Sequence, residues 1–128
     1  MTEASDYLKE ELVSIPNDIR DTELEIIRLT NNVNTFKNKL KQLQSNIMRK
    51  ITQEIYEDTG KPAYTNDTQR DAELSVRLSG NKLKIEYEDK LKIDKENLGR
   101  QEVKLNFLKN RFKSIGYLVK IFLWEGEK

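Results

Sequence analysis

The chain has no cysteine and no histidine. Without cysteine there is no disulfide framework and no thiolate zinc site. Without histidine the most frequent general base and metal ligand are both missing. Only two prolines and five glycines punctuate 128 residues, so long uninterrupted helices are expected. The longest apolar cluster, residues 115–124, falls short of the ~20 residues that span a bilayer. The first residues, MTEASDYLKEEL, are acidic and lack the apolar core of a secretory signal. A glycine-rich phosphate loop, a nucleophile elbow and a histidine-based constellation are all absent. These absences argue against an enzyme, a membrane partner, a small-molecule substrate and a cofactor. They favour a cytoplasmic protein that works by binding.

What is present is charge and periodicity. Charged residues make up 35% of the chain, against ~25% in an ordinary domain. That balance suits helices joined by a narrow apolar seam within one domain. Residues 5–15 read as a short amphipathic helix, with Ser5 as N-cap, Leu8, Leu12 and Ile15 as its stripe and Pro16 as its stop. A long helix is expected over 17–59. Its seam, Ile26, Leu29, Val33, Phe36, Leu40, Leu43 and Ile47, steps by three and four, and Gly60 and Pro62 close it. A second long helix is expected over 82–124, with Leu105, Leu108, Phe112, Ile115, Val119 and Phe122 on its seam. Asp94 and Gln101 occupy two further seam positions, and Gly99 suggests a close approach of a neighbouring helix.

Two long helices with a connection of roughly 20 residues between them fold back most simply as an antiparallel hairpin. The lengths suggest partners whose numbers total about 140, so that Ile26 lies near residue 114 and Ile55 near residue 85. The fold class expected is therefore all-α, a long antiparallel helical hairpin (coiled coil) with a short N-terminal and a short connecting helix. A pair this long buries little core per residue, which favours a homo-oligomeric bundle. Ile115, Tyr117, Leu118, Ile121, Phe122 and Trp124 are the candidate oligomer interface.

The connection admits two readings. Thr65 or Asn66 can cap a helix over 66–78 that stops at Ser79, Gly80 and Asn81. Alternatively, Leu74, Val76 and Leu78 alternate, as do Leu83, Ile85 and Tyr87, which would make a β-hairpin over 74–87. The helix formers of QRDAEL favour the first reading.

Charge is arranged in blocks. Residues 1–25 carry a net −6, residues 26–53 a net +6 with no acid, and residues 103–124 a net +5, again with no acid. In the expected register the two acid-free stretches lie side by side, interleaved with amides, as phosphate-backbone binding requires. Candidate nucleic-acid contacts are Arg28, Lys37, Lys39, Lys41, Arg49 and Lys50, together with Lys104, Lys109, Arg111 and Lys113. The competing arrangement folds the acidic N-terminal segment onto the basic end and neutralises it. Carboxylates at helical spacing, such as Glu54 and Asp58, read as solvated surface rather than a metal site.

The run GKPAYTNDTQRDAEL, through Tyr64, Thr65, Asn66, Arg70, Ala72, Glu73 and Leu74, resembles small helical proteins encoded by bacteriophages and prophages. That resemblance, strongest over residues 54–78, implies a coiled-coil arm and an adaptor role near phage recombination or replication, or in blocking a host defence. The site of action would be the host cytoplasm and the target a protein or nucleoprotein assembly. Tyr64, Thr65 and Asn66 would form the partner-facing tip. A second comparison is with prefoldin, whose subunits join two antiparallel helices through β-hairpins. It implies a chaperone-like role if residues 74–87 are strands.

Overall fold

The computed structural model describes residues 3–127. The fold is all-α. Helix α1 spans Glu3–Gln53, α2 spans Asp67–Leu78 and α3 spans Lys82–Glu127. The described residues contain no β-strand, only an isolated bridge between Ile55 and Pro62. The hairpin alternative over 74–87, and with it the ground for comparison with prefoldin, is therefore replaced by helix. Leu74 is buried while Val76 is exposed, as one face of a short helix requires.

Pro16 does not end a helix; it lies inside α1. A proline removes one backbone N–H and crowds the carbonyl four residues earlier, but it does not forbid a helix held by tertiary contacts. Those contacts flank it closely, through Leu12, Ile15 and Ile19. Ser5 is consequently not an N-cap, because α1 begins at Glu3. Glu3 and Asp6 sit in its first turn and Lys50 in its last, each complementing the helix dipole.

The chain forms two compact units, residues 1–30 with 95–128, and residues 31–94. In the first, the N-terminal part of α1 packs on the C-terminal part of α3. Leu8, Ile15, Leu108 and Ile115 form the buried cluster, flanked by Leu12, Ile19 and Val119. Ile115 is completely buried, which is worth roughly 1.5–3 kcal/mol for such a side chain. Glu11 accepts a hydrogen bond from the Arg111 guanidinium at 2.8 Å beside this cluster. The two numbers total 122, not 140, so the register is displaced from the expected one by about five helical turns. The expectation erred by starting the first arm at residue 17. Leu29 and Thr22 are also buried. The Thr22 hydroxyl donates to the Asp18 carbonyl at 2.7 Å, so a buried polar group is satisfied by its own helix.

In the second unit, Val33, Ile51 and Leu74 are buried, and Phe36 meets Tyr87 with ring centroids 6.1 Å apart. That aromatic pair totals 123, again away from 140. Helix α1 stops at Gln53 rather than near residue 59, because the next backbone groups pair across a turn. Tyr56 N–H donates to the Lys61 carbonyl at 2.8 Å and Ala63 N–H to the Glu54 carbonyl at 3.0 Å. Gly60 takes a φ of +67° at the tip, a conformation that costs L-residues a Cβ clash. Asn66 then caps α2, its side chain accepting from Gln69 N–H at 2.8 Å. The Gln69 side-chain oxygen accepts in return from Thr65 N–H at 2.9 Å.

Three residues separate α2 from α3, and each has a task. Ser79 closes α2 with its N–H on the Ser75 carbonyl. Gly80 adopts φ +74°. Asn81 opens α3, its side chain accepting from Lys84 N–H at 3.0 Å. By contrast, Gly99 marks no close approach, since a Cβ there would meet nothing within 4 Å.

Candidate interaction surfaces

The basic residues singled out by sequence are divided between the two units. Residues 31–53 belong to the second unit, and the stretch 103–124 belongs to the first. The displaced register sets the basic end of α3 against the acidic start of α1, where Arg111 pairs with Glu11. Arg28 is likewise engaged, donating to Glu25 one turn before it. The guanidinium hydrogen bond holds the Glu25 carboxyl below its usual range. Lys104, Lys109 and Lys113 remain exposed along α3.

In the second unit Lys39 lies over two rings, with its ammonium 5.2 Å from the Phe36 centroid and 5.5 Å from that of Tyr87. Lys90 approaches Phe36 from α3 at 5.5 Å. These distances fall within the range of cation–π attraction, so Lys39, though exposed, is engaged with both rings. Lys37 and Lys50 are exposed.

Lys41 and Arg49 border an open groove of about 680 Å³ between the end of α1 and α2. Met48 and Leu74 are the apolar residues of its lining, which Gln44, Ser45, Thr52 and Gln53 complete. No acidic residue is among the described residues that line it. Lys41, Gln44, Ser45, Met48 and Thr52 recur at three- and four-residue steps, which puts them on one face of α1. From Lys41 to Gln53 the face runs on the order of 18 Å at 1.5 Å per residue. Sequence reasoning had both cations but not the groove. Its lining includes Leu74 from α2, and nothing in the local pattern of α1 announces that.

The residues expected at a partner-facing tip are taken up locally. Asn66 caps α2 and Thr65 bonds to Gln69, while Tyr64 lies under the Arg77 guanidinium, 6.0 Å from its ring centroid. Arg77 also bonds to Glu73 at 2.8 Å and to Glu54. Those two carboxylates, Glu73 foremost, raise the guanidinium further above its ordinary pKa. Glu54 and Asp58, read as a helical pair, lie beyond the end of α1. Among the described residues there is no cluster of three metal-ligating side chains.

The candidate oligomer surface divides in two. Ile115 is part of the core of its own unit and is unavailable to a second chain. Tyr117, Leu118, Ile121, Phe122 and Trp124 are exposed, the first at 67%. Val103 and Phe107, nearer the start of α3, are exposed as well.

These features define an all-helical protein with exposed, charged helix faces. No helix among the described residues is long and apolar enough to cross a membrane. The chain matches no family model, no curated protein and no solved structure.

Proposed function

We propose that the protein is a non-enzymatic adaptor, an antiparallel coiled-coil hairpin that holds an acidic, amphipathic segment of a protein partner in the groove beside α2. One observation carries this reading: the groove's lining combines two cations, Lys41 and Arg49, with apolar Met48 and Leu74, and no acid is among the described residues that line it. Its length suits three turns of helix, or about five extended residues at 3.3 Å each. Carboxylates at the margins and one or two aliphatic side chains on Met48 and Leu74 match it. The resemblance to phage helical proteins supports a partner in a recombination, replication or host-defence assembly, met in the host cytoplasm.

Nucleic acid is the second reading, favoured by the acid-free run that includes Lys37, Lys41, Arg49 and Lys50. The groove favours peptide over nucleic acid on two grounds. It lacks the aromatic platforms on which unpaired bases stack, and Lys39 is engaged with Phe36 and Tyr87. The chaperone-like alternative relied on strands that are helical here.

Fluorescence anisotropy with a labelled acidic peptide bearing two leucines tests the proposal. Binding should be micromolar, salt-sensitive, and weakened about tenfold or more, ~1.4 kcal/mol, by Lys41→Glu combined with Arg49→Glu. Equal binding of a leucine-free polyglutamate, or tighter binding of single-stranded oligothymidine, would overturn it.

A further inference from the structure

The C-terminal half of α3 presents a second face beside the one buried in its own unit. With Phe112 and Ile115 as heptad positions a and d, Lys113, Gly116, Tyr117 and Lys120 fall at b, e, f and b. Their spacing, i, i+3, i+4 and i+7, is the one that forms a hole for a side chain from a facing helix. The hole is physically present: with Phe112 these residues line a hollow of about 290 Å³. Gly116 opens it, since a Cβ at that position would meet nothing within 4 Å. The Lys120 ammonium leans 5.9 Å from the Tyr117 ring centroid on one wall. A glycine weakens a helix interior, and nothing inside the chain requires one here.

The matching flank of α1 has the opposite charge. With Ile15 and Ile19 at d and a, Val13, Leu24 and Ile27 fall at b, f and b, and all three are exposed. Asp6, Glu10 and Glu23 occupy b, f and e on the same side and outnumber its bases, Lys9 at e and Arg20 at b. The pair between Glu11 and Arg111 joins the g position of one helix to the g position of the other. When the g edges of two packed helices meet on one side, both e edges turn to the other. The acidic flank of α1 and the basic flank of α3 therefore share one side of the first unit.

We infer that this side binds a second copy of the chain. The hole at Gly116 receives an aliphatic side chain, Val13, Leu24 or Ile27, from α1 of the other copy. Lys113 and Lys120 then face the other copy's Asp6, Glu10 and Glu23. Two-fold symmetry makes the same contact twice, which sets Asp6, Glu10 and Glu23 of each copy toward Lys113 and Lys120 of the other at both ends. The inference concerns the first unit and does not depend on the groove of the second.

Sedimentation velocity on the full chain tests it. The wild type should be dimeric at ~50 µM, with dissociation promoted by salt. Gly116→Leu puts a side chain into the hole, beginning at a Cβ position that meets nothing within 4 Å. It should raise the dimer dissociation constant about tenfold or more while leaving helicity and the unfolding midpoint of the monomer undiminished. Lys113→Glu with Lys120→Glu should weaken the dimer similarly, and adding Glu10→Lys with Glu23→Lys should restore it. A wild type that stays monomeric at ~500 µM overturns the inference, as does a Gly116→Leu variant that dimerises like the wild type, or a charge exchange that restores nothing. Peptide binding measured on Gly116→Leu should match the wild type, so a failure of the groove and a failure of the dimer are distinguishable.

Discussion

Replacing Pro16 by alanine should stabilise the protein, because the proline lies within α1 on an exposed position. Proline in a helix interior is about 3 kcal/mol less favourable than alanine, through its missing hydrogen bond and its crowding of the preceding turn. Part of that is returned because alanine frees the unfolded chain, a loss of about 1 kcal/mol. The net expectation is a gain of about 2 kcal/mol. For a chain of 128 residues, with an unfolding entropy of about 2.1 cal/mol/K per residue, this raises the midpoint by about 7 °C. Thermal unfolding followed by circular dichroism reads the shift directly. Asn17→Ala is the control, since it changes the neighbouring exposed position and should gain only about 0.5 kcal/mol from propensity. A Pro16→Ala midpoint no higher than that of Asn17→Ala would refute the reasoning. It would mean that the proline's geometry is needed to seat Ile15 and Ile19, and that its cost is already recovered in packing.

Other substitutions test the core, the seam and the junctions. Ile115→Ala, at a completely buried position, should cost about 3–4 kcal/mol in urea titration. Ile121→Ala, half exposed on the same helix, should stay within about 0.5 kcal/mol at concentrations where the chain is monomeric; equal losses would place the core elsewhere. Thr22→Val removes a buried hydroxyl that bonds only to its own helix, so stability should hold or rise by up to about 1 kcal/mol. A large loss there would point to a partner for the hydroxyl across the helix pair. Asn66→Ala should cost about 1 kcal/mol through the lost cap. Gly80→Ala should cost about 1–2 kcal/mol, because φ +74° crowds a Cβ. Amide exchange confined to α2 and the start of α3 would locate both effects, and no change in α2 protection for Asn66→Ala would count against the cap.

The seams were legible because three- and four-residue steps survive in the sequence. Leu29, Val33, Leu108 and Ile115, all placed on seams by spacing, are buried. The break expected at Pro16 was an over-reading of one residue. The steps continue through it from Leu8, and the one polar seam position that hides the continuity is Thr22, whose hydroxyl is satisfied within α1. Once the first arm was shortened, the register shifted and the charge map followed it. The acidic and basic blocks were visible, yet which block faces which depends on register, and register is set by where helices start. The end of α1 was hidden for another reason. Backbone pairing of Glu54 and Tyr56 with Ala63 and Lys61 leaves no periodic trace in the side chains. The groove was illegible because it belongs to two elements at once.

Arg77 gives one guanidinium three obligations, to Glu54 just past α1, to Tyr64 in the connection and to Glu73 within α2. These four positions span the whole junction yet share a single hub. Substitutions at Glu54 and Glu73 should therefore be non-additive, each changing what the other is worth. Drift at any one of them is constrained by the other three. In a lineage of such chains, the four would be expected to change together or not at all, and a neutral path between two forms would have to pass through Arg77 last.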